Sequence, residues 1–426
     1  MDVPVRSSSG HGPKALLAVF LLALAPRLLA VFQHLHAGVD LRNDPTMYLT
    51  LAENLRHGVF SMFHPLDIPD TIKMPGYPLL IRWLGGNVTP VLLLQALVSA
   101  AKAPMVALLA MRVGITSRFA LGAGSLMALE PMDILLCAQV MTETWFTTVL
   151  LGAVLLLTRG ARWTTLLASA CFFAAAAWIR PNGAWLIPAA AILGWSAIHR
   201  SWSRALVFLA AGLLLVLPWA LRNQRALDRF YLGDGGVVAA AYYQVPDVLR
   251  AAGDPAASGR SARLHRKAAA TDWEDRPGFH AFFDDLRAEA WSTFRQHPIT
   301  WLRVQAMKAL RIYLAPGRGH VRLIFRAGGP VPGLLLAWSA LFVGLLVLAL
   351  PFWIRWARRL GAVRWSLLLA LAMLVSGSLT TTDARFKNPA MPLLLVGVAW
   401  VAQRLVTGKP HGGEPISDRA APGSPA

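Results

Sequence analysis

Residues 15–48 read ALLAVFLLALAPRLLAVFQHLHAGVDLRNDPTMY, and two features of that stretch set the class of the chain. Ala15–Phe32 is an apolar run approaching the roughly 20 residues that carry a helix across a bilayer. Shortly beyond it, in Asn43-Asp44-Pro45-Thr46-Met47-Tyr48, stands a carboxylate just outside the apolar run. A long, partly apolar loop follows and closes with Lys73-Met74-Pro75-Gly76-Tyr77-Pro78. The run after Lys14 is too long for the apolar part of a secretory signal. No small-residue cleavage site follows it, so it is read as an uncleaved first span.

Apolar runs of this kind recur along the chain. Hydrophobic residues make up 56% of it and charged residues 15%, against about 25% charged in soluble proteins. The mean hydropathy is +0.49. The expected fold is an all-α polytopic membrane protein of about ten transmembrane helices, at 14–33, 88–110, 117–132, 136–157, 163–179, 183–198, 203–220, 332–353, 363–380 and 387–405. Cys137 and Cys171 both lie in apolar runs and read as core residues, with no disulfide framework.

Arg and Lys set the orientation. With Arg6 and Lys14 in the cytoplasm, alternate turns hold Arg112 and Arg118, Arg159 and Arg162, Arg200 and Arg204, then Arg355, Arg358, Arg359 and Arg364, and finally Arg404 and Lys409. The opposite short loops hold only Arg180, and Arg385 with Lys387. The division that follows is a cytoplasmic N-terminus (1–13), a transmembrane region (14–220) containing an extracytoplasmic loop (34–87), an extracytoplasmic soluble segment (221–331), a second transmembrane region (332–405) and a disordered cytoplasmic tail (406–426). Within 221–331, Ser258-Gly259-Arg260 reads as a flexible connection. Thr271 to Arg311 reads as helix interrupted at Pro298. The location is the inner or plasma membrane. The formal net charge of +19 does not point to nucleic acid, because much of the excess sits in cytoplasmic turns. The outer surplus of Arg faces either anionic lipid or plain solvent.

The residues with chemistry cluster at one face. Asp44 can take a proton from an attacking hydroxyl, or can open a helix over Thr46–Arg56. Glu143 lies near the outer end of the fourth span, either facing a cavity or reaching headgroups, while Glu130 and Asp133 in the turn before it read as solvated. Arg180 runs against the charge asymmetry, so it either snorkels or pairs with a carboxylate or a phosphate. Lys73, Arg222 and Arg385 also lie outside, where positive charge could stabilise a leaving phosphate. Tyr48 and Tyr77 fit an aromatic belt or a sugar site. Walker, HExxH, CxxC and GxSxG patterns are absent from the sequence, so ATP-driven and protease readings have no anchor.

Several loose motifs keep a specific order: Asp44, Tyr48 and Ala52 with Gly58 and Phe60; Pro75-Gly76-Tyr77-Pro78-Leu79-Leu80; Thr142-Glu143; Arg180-Pro181; Pro218-Trp219 with Arg222-Asn223; and Arg385-Phe386 with Pro389 and Pro392. In that order the chain resembles the integral-membrane GT-C glycosyltransferases. More narrowly, it resembles the bacterial branch related to protein O-mannosyltransferases and the lipid A aminoarabinose transferase. The resemblance implies a GT-C-like fold and transfer of a sugar from a polyprenyl-phosphate donor to an envelope acceptor outside the cytoplasm. It gives Asp44 the role of activating the acceptor and suits Lys73, Arg180 and Arg385 to the donor phosphate. Asn43 and Pro45 stand where many relatives carry a second acid, so a divalent metal is left open. The segment 221–331 matches nothing in the family, and the acceptor is open with it. Two other classes remain: a transporter or lipid flippase, which would show paired repeats and broken spans, and a non-catalytic envelope assembly factor.

The orientation has a direct test. Cysteines placed near Ser258 and near His64 should react with an impermeant thiol reagent in intact cells. Reaction only after the inner membrane is disrupted would invert the topology.

Overall fold

The computed structural model describes residues 12–62, 68–159, 162–194, 201–325, 330–380 and 382–408, and every regular element among them is helical. The expected N-terminus and tail, together with His64, Arg200 and Lys409, lie almost wholly outside the described residues. Pro13, whose missing N–H costs nothing at a first turn, opens α1 (Pro13–Ala37). The loop after α1 carries α2 (Asp44–Asn54) and α3 (Gly76–Trp83). The bundle continues with α4 (Val88–Arg112), α5 (Ser117–Ala128), α6 (Pro131–Cys137), α7 (Glu143–Leu157), α8 (Trp163–Ile179), α9 (Gly183–Gly194) and α10 (Trp202–Leu227).

Each of the ten expected spans meets a helix. Among the described residues, five units are long and apolar enough to cross a membrane: Pro13–Ala37, Val88–Arg112, Trp202–Leu227, Val331–Arg355 and Ala384–Thr407. The pair α5–α6 would be a sixth if its 49° bend falls within one span. That bend corrects the expected boundaries at 132 and 136. Pro131 has no N–H to continue a helix, and the Glu130 side chain accepts the Asp133 N–H at 2.5 Å, so a new helix starts there. The next apolar helix begins at Glu143. Within their apolar windows, 72% of the residues of Ala384–Thr407 and 56% of those of α4 are buried, against 28% for α1, so α4 and the C-terminal unit are the inner helices. Cys137 is buried, whereas Cys171 is exposed, which corrects its reading as core.

The segment 221–331 has two parts. The first comprises α11 (Gly235–Ala239), a π-turn (Ala240–Gln244), α12 (Val245–Ala252), α13 (Arg260–Ala270) and α14 (Arg276–Gln296). Phe279, Phe282, Phe283 and Leu286 of α14 recur at helical spacing and form a core of their own with Leu227, Ala241, Leu264 and Ile68. Ser258-Gly259-Arg260 is not a loose connection: Gly259, at φ +67°, leads into α13, and the Arg260 side chain is buried against Glu289. The second part, α15 (Pro298–Leu314) and α16 (Arg318–Phe325), joins the bundle. Ile312 and Tyr313 enter the main core, and Val321 and Ile324 enter the core beneath the first outer loop. The chain ends with α17 (Val331–Arg355), α18 (Val363–Ser378), a 3₁₀ turn (Ala384–Ala390) and α19 (Met391–Thr407).

Two glycines mark where backbones meet. A Cβ on Gly76 would sit 2.7 Å from the Trp178 carbonyl oxygen of α8, and one on Gly233 would sit 2.2 Å from the Thr71 carbonyl oxygen. The loop after α1 is thereby held flush against both the bundle and the segment that follows α10. Deeper in the bundle, Asp133 and Glu130 are not solvated as expected. Asp133 is fully buried and Glu130 is 2% exposed. The Asp133 carboxylate accepts from Arg27 at 2.6 Å, Ser99 at 2.7 Å and Asn388 at 2.9 Å, and pairs with Lys102. Asp133→Ala would leave Arg27 and Lys102 buried without a counter-charge. It should destabilise the protein by about 3–5 kcal/mol, read as a lower thermal midpoint in detergent. An unchanged midpoint would mean that these cations have another partner.

Candidate active site

Asp44 opens α2. Asn43 before it sits at φ +65°, and Pro45 after it fits the first turn. The capping role is not taken up: the helix start has no side-chain cap hydrogen bond. The carboxylate turns instead to two cations from distant parts of the chain. Lys73 Nζ donates to Asp44 Oδ1 at 2.6 Å, and Arg385 NH1 donates to Oδ2 at 2.9 Å.

Both cations are held by local structure. The Asp70 side chain accepts the backbone N–H groups of Ile72 (3.0 Å) and Lys73 (2.8 Å), and the Asp70 N–H closes the loop onto the Phe60 carbonyl at 2.9 Å. The Lys73 ammonium also lies over the Tyr48 ring, 5.0 Å from its centroid. Arg385 rises from the 3₁₀ turn that Asp383 caps by accepting the Arg385 N–H at 2.9 Å.

The ion pairs continue inward. Glu143, in the first turn of α7, is 1% exposed, so it does not reach for headgroups. Its Oε1 is 2.9 Å from Arg180 NH1 and 3.7 Å from Arg385 Nε. Arg180, in extended conformation just past α8, therefore pairs with a carboxylate and does not snorkel. On the other side, His320 Nε2 is 2.8 Å from Asp383 Oδ1, and its Nδ1 is 3.2 Å from Gln139 Oε1. Lys73, Asp44, Arg385, Glu143 and Arg180 thus form one chain of alternating charge at the junction of the first loop, α7, α8 and the 384–390 turn.

The chain of charge is not fully satisfied. Arg180 NH1 and Arg385 Nε lie near Glu143 at ion-pair distance but without hydrogen-bond alignment. Both, with Asn182 Oδ1, are buried atoms lacking a hydrogen-bond partner. Arg180 and Asn182 line a narrow cleft with Phe146, Ser376, Phe386 and Pro389. A guanidinium donor and an amide acceptor left open beside a cleft suit an anionic or polyhydroxylated ligand.

Two expected site residues stand apart. The Tyr77 hydroxyl donates to Gln95 Oε1 at 2.6 Å and is buried, fastening α3 to α4, while its ring meets Tyr48 edge-on at 5.1 Å. Arg222 lies over Trp219 at 4.8 Å and donates to the carbonyls of Asp70 and Phe60 at 3.4 Å, bracing the loop that carries Lys73. His320 and Asp383 were not singled out in the sequence. Asp383, two residues before Arg385 at the outer end of a span, carried a legible signal; His320 did not, lying in a segment read as soluble. Asp44, Glu143 and Asp383 each already hold a cation. Among the described residues no group of three His, Cys, Asp or Glu could hold a metal ion.

No family model matches the chain, and no curated protein matches it. Among solved structures, a crystal structure of ArnT from Cupriavidus metallidurans bound to undecaprenyl phosphate aligns over 92% of this chain and 79% of that one, with 15% identity and a TM-score of 0.39. A likeness at that level assigns neither fold nor activity.

Burial alone would raise the Asp44 carboxyl, but Lys73 and Arg385 outweigh it and hold the group well below the usual carboxylate range. A lowered folded-state value adds stability that is complete above the ordinary carboxylate range, near pH ~4, and is lost only as pH falls through the lowered value. Asp44→Asn should therefore lower the thermal midpoint equally at pH 7 and pH 5, with the deficit closing only below about pH 4. A deficit that closes between pH 7 and pH 5 would contradict the ion-paired geometry.

Proposed function

We propose that the chain is a membrane glycosyltransferase that moves a sugar from a polyprenyl-phosphate-linked donor to an envelope acceptor on the extracytoplasmic face. The observation that carries this reading is the Asp44 carboxylate held between Lys73 and Arg385, with Arg180 behind them. The lipid tail stays in the bilayer while its phosphate and sugar enter among these cations. A nucleotide sugar, made in the cytoplasm, does not reach that face.

The geometry also suggests how donor and acceptor are coupled. While Lys73 and Arg385 grip Asp44, its depressed pKa makes it a poor base, since general bases work best near the operating pH. A donor phosphate competes for the same two cations, and as they turn to it Asp44 becomes more basic. An acceptor hydroxyl then attacks the anomeric carbon. Its oxygen bonds to that carbon, its proton passes to Asp44, and the carbon–oxygen bond to the phosphate breaks. The electron pair leaves with the lipid phosphate, which Lys73, Arg385 and Arg180 neutralise. Glu143 acts through the two arginines by holding them in place.

Purified protein given a synthetic lipid-phosphate sugar should transfer it and should ignore a nucleotide sugar. Asp44→Asn should lower transfer about 10²–10⁴-fold while still binding the lipid phosphate, because the cations are released. Arg180→Ala should weaken use of the lipid donor by on the order of 1.5–3 kcal/mol. Efficient transfer from the nucleotide sugar alone, or normal transfer by Asp44→Asn, would remove the proposal.

A further inference from the structure

Away from this site, α12 and α15 enclose a groove of about 520 Å³ lined by Arg250, Arg303, Lys308 and Arg311, with Asp247 as its one acid. Asp247 is already engaged: Arg250 donates to its Oδ1 at 2.6 Å, and Lys308 Nζ lies 3.0 Å from its Oδ2. Arg303 and Arg311 are exposed, and neither has a hydrogen-bond or ion-pair partner among the described residues. Four cations against one carboxylate leave the groove strongly positive.

Its surroundings say what kind of anion fits. Lys308, 4% exposed as a side chain, also donates to the Thr380 carbonyl just past the outer end of α18, at 3.1 Å. Gln244 donates to the neighbouring Leu379 carbonyl at 2.6 Å. The groove therefore lies at the rim where a membrane helix ends. On the adjoining face of α15, Ile299 (80%), Leu302 (60%), Leu310 (47%) and Leu314 (40%) are exposed. At 100° per residue these four fall within about a third of the helix circumference; Arg303 lies inside that arc, and Met307 and Arg311 continue it on one side. A helix whose exposed apolar arc carries one arginine within it and another at its edge, anchored at the end of a membrane helix, matches a membrane interface.

The geometry points to a second, non-catalytic site: the α12–α15 groove binds the phosphate of an anionic lipid of the outer leaflet, whose chains lie along the apolar stripe of α15. Arg303 and Arg311 make the contact, and Arg250 and Lys308 set the field.

The full-length protein in nanodiscs of phosphatidylcholine with a minor fraction of phosphatidylglycerol tests this, with the lipid that stays bound measured by native mass spectrometry. Wild-type protein should retain phosphatidylglycerol selectively. Arg303→Gln with Arg311→Gln should weaken retention about 25-fold, some fivefold for each charge removed. The thermal midpoint should not move, because neither side chain has a partner to lose. Arg303→Lys with Arg311→Lys should keep most of the retention, and millimolar inorganic phosphate should not displace the lipid. Equal retention by the Gln pair overturns the site. Displacement by inorganic phosphate overturns its assignment to a lipid and makes it a site for a soluble anion.

Discussion

The Asp133 carboxylate, with no exposed surface, gathers Arg27 from α1, Lys102 and Ser99 from α4, and Asn388 from the turn before α19. Charges this deep are expensive unless paired, and removing one member leaves the others uncompensated. The node therefore permits essentially one arrangement of those helices. Asn388 also accepts the Thr147 hydroxyl at 2.9 Å and so ties in α7. Arg385 lies three residues before Asn388 and Glu143 four residues before Thr147. The buried node thus fixes the two segments that carry the deep half of the candidate site.

The shallow half is fixed from the other direction. Thr71 accepts the Asp234 N–H at 2.7 Å and donates its hydroxyl to Asp234 Oδ2 at 3.0 Å, so the outer segment clamps the loop that presents Lys73. Asp44 bridges the halves by holding one cation from each. The carboxylate is thereby sheltered, and the two cations hold it below the usual carboxylate range. This suggests why base activation would wait for a phosphate.

Much of this was legible in sequence because spans and outer loops leave strong marks. Apolar length marked ten stretches that each meet a helix, and Asp44, Lys73, Glu143, Arg180 and Arg385, read as lying in loops or near the ends of those stretches, come together in one cluster. The cluster forms where the starts of α2 and α7, the end of α8, the 384–390 turn and the loop carrying Lys73 meet. What escaped depended on pairing across the fold. Arg27 and Lys102 stand inside apolar spans, where ionisable residues demand a partner. Their partner, Asp133, looked solvated because Pro131 ends a helix just beside it and mimics a surface turn. Likewise 221–331 read as one soluble segment because α15 carries Arg303, Lys308 and Arg311. Its buried residues, Gln305, Lys308, Ile312 and Tyr313, are mostly polar or amphipathic, so hydropathy could not show that it lies against the bundle.

In the proposed mechanism a lipid phosphate draws Lys73 and Arg385 away from Asp44. A structure of the protein with polyprenyl phosphate bound tests this directly. Phosphate oxygens should lie within hydrogen-bond distance of Arg385 and of Lys73 or Arg180, with the Asp44 carboxylate released from at least one cation. A phosphate bound elsewhere, with both Asp44 ion pairs intact, would contradict it.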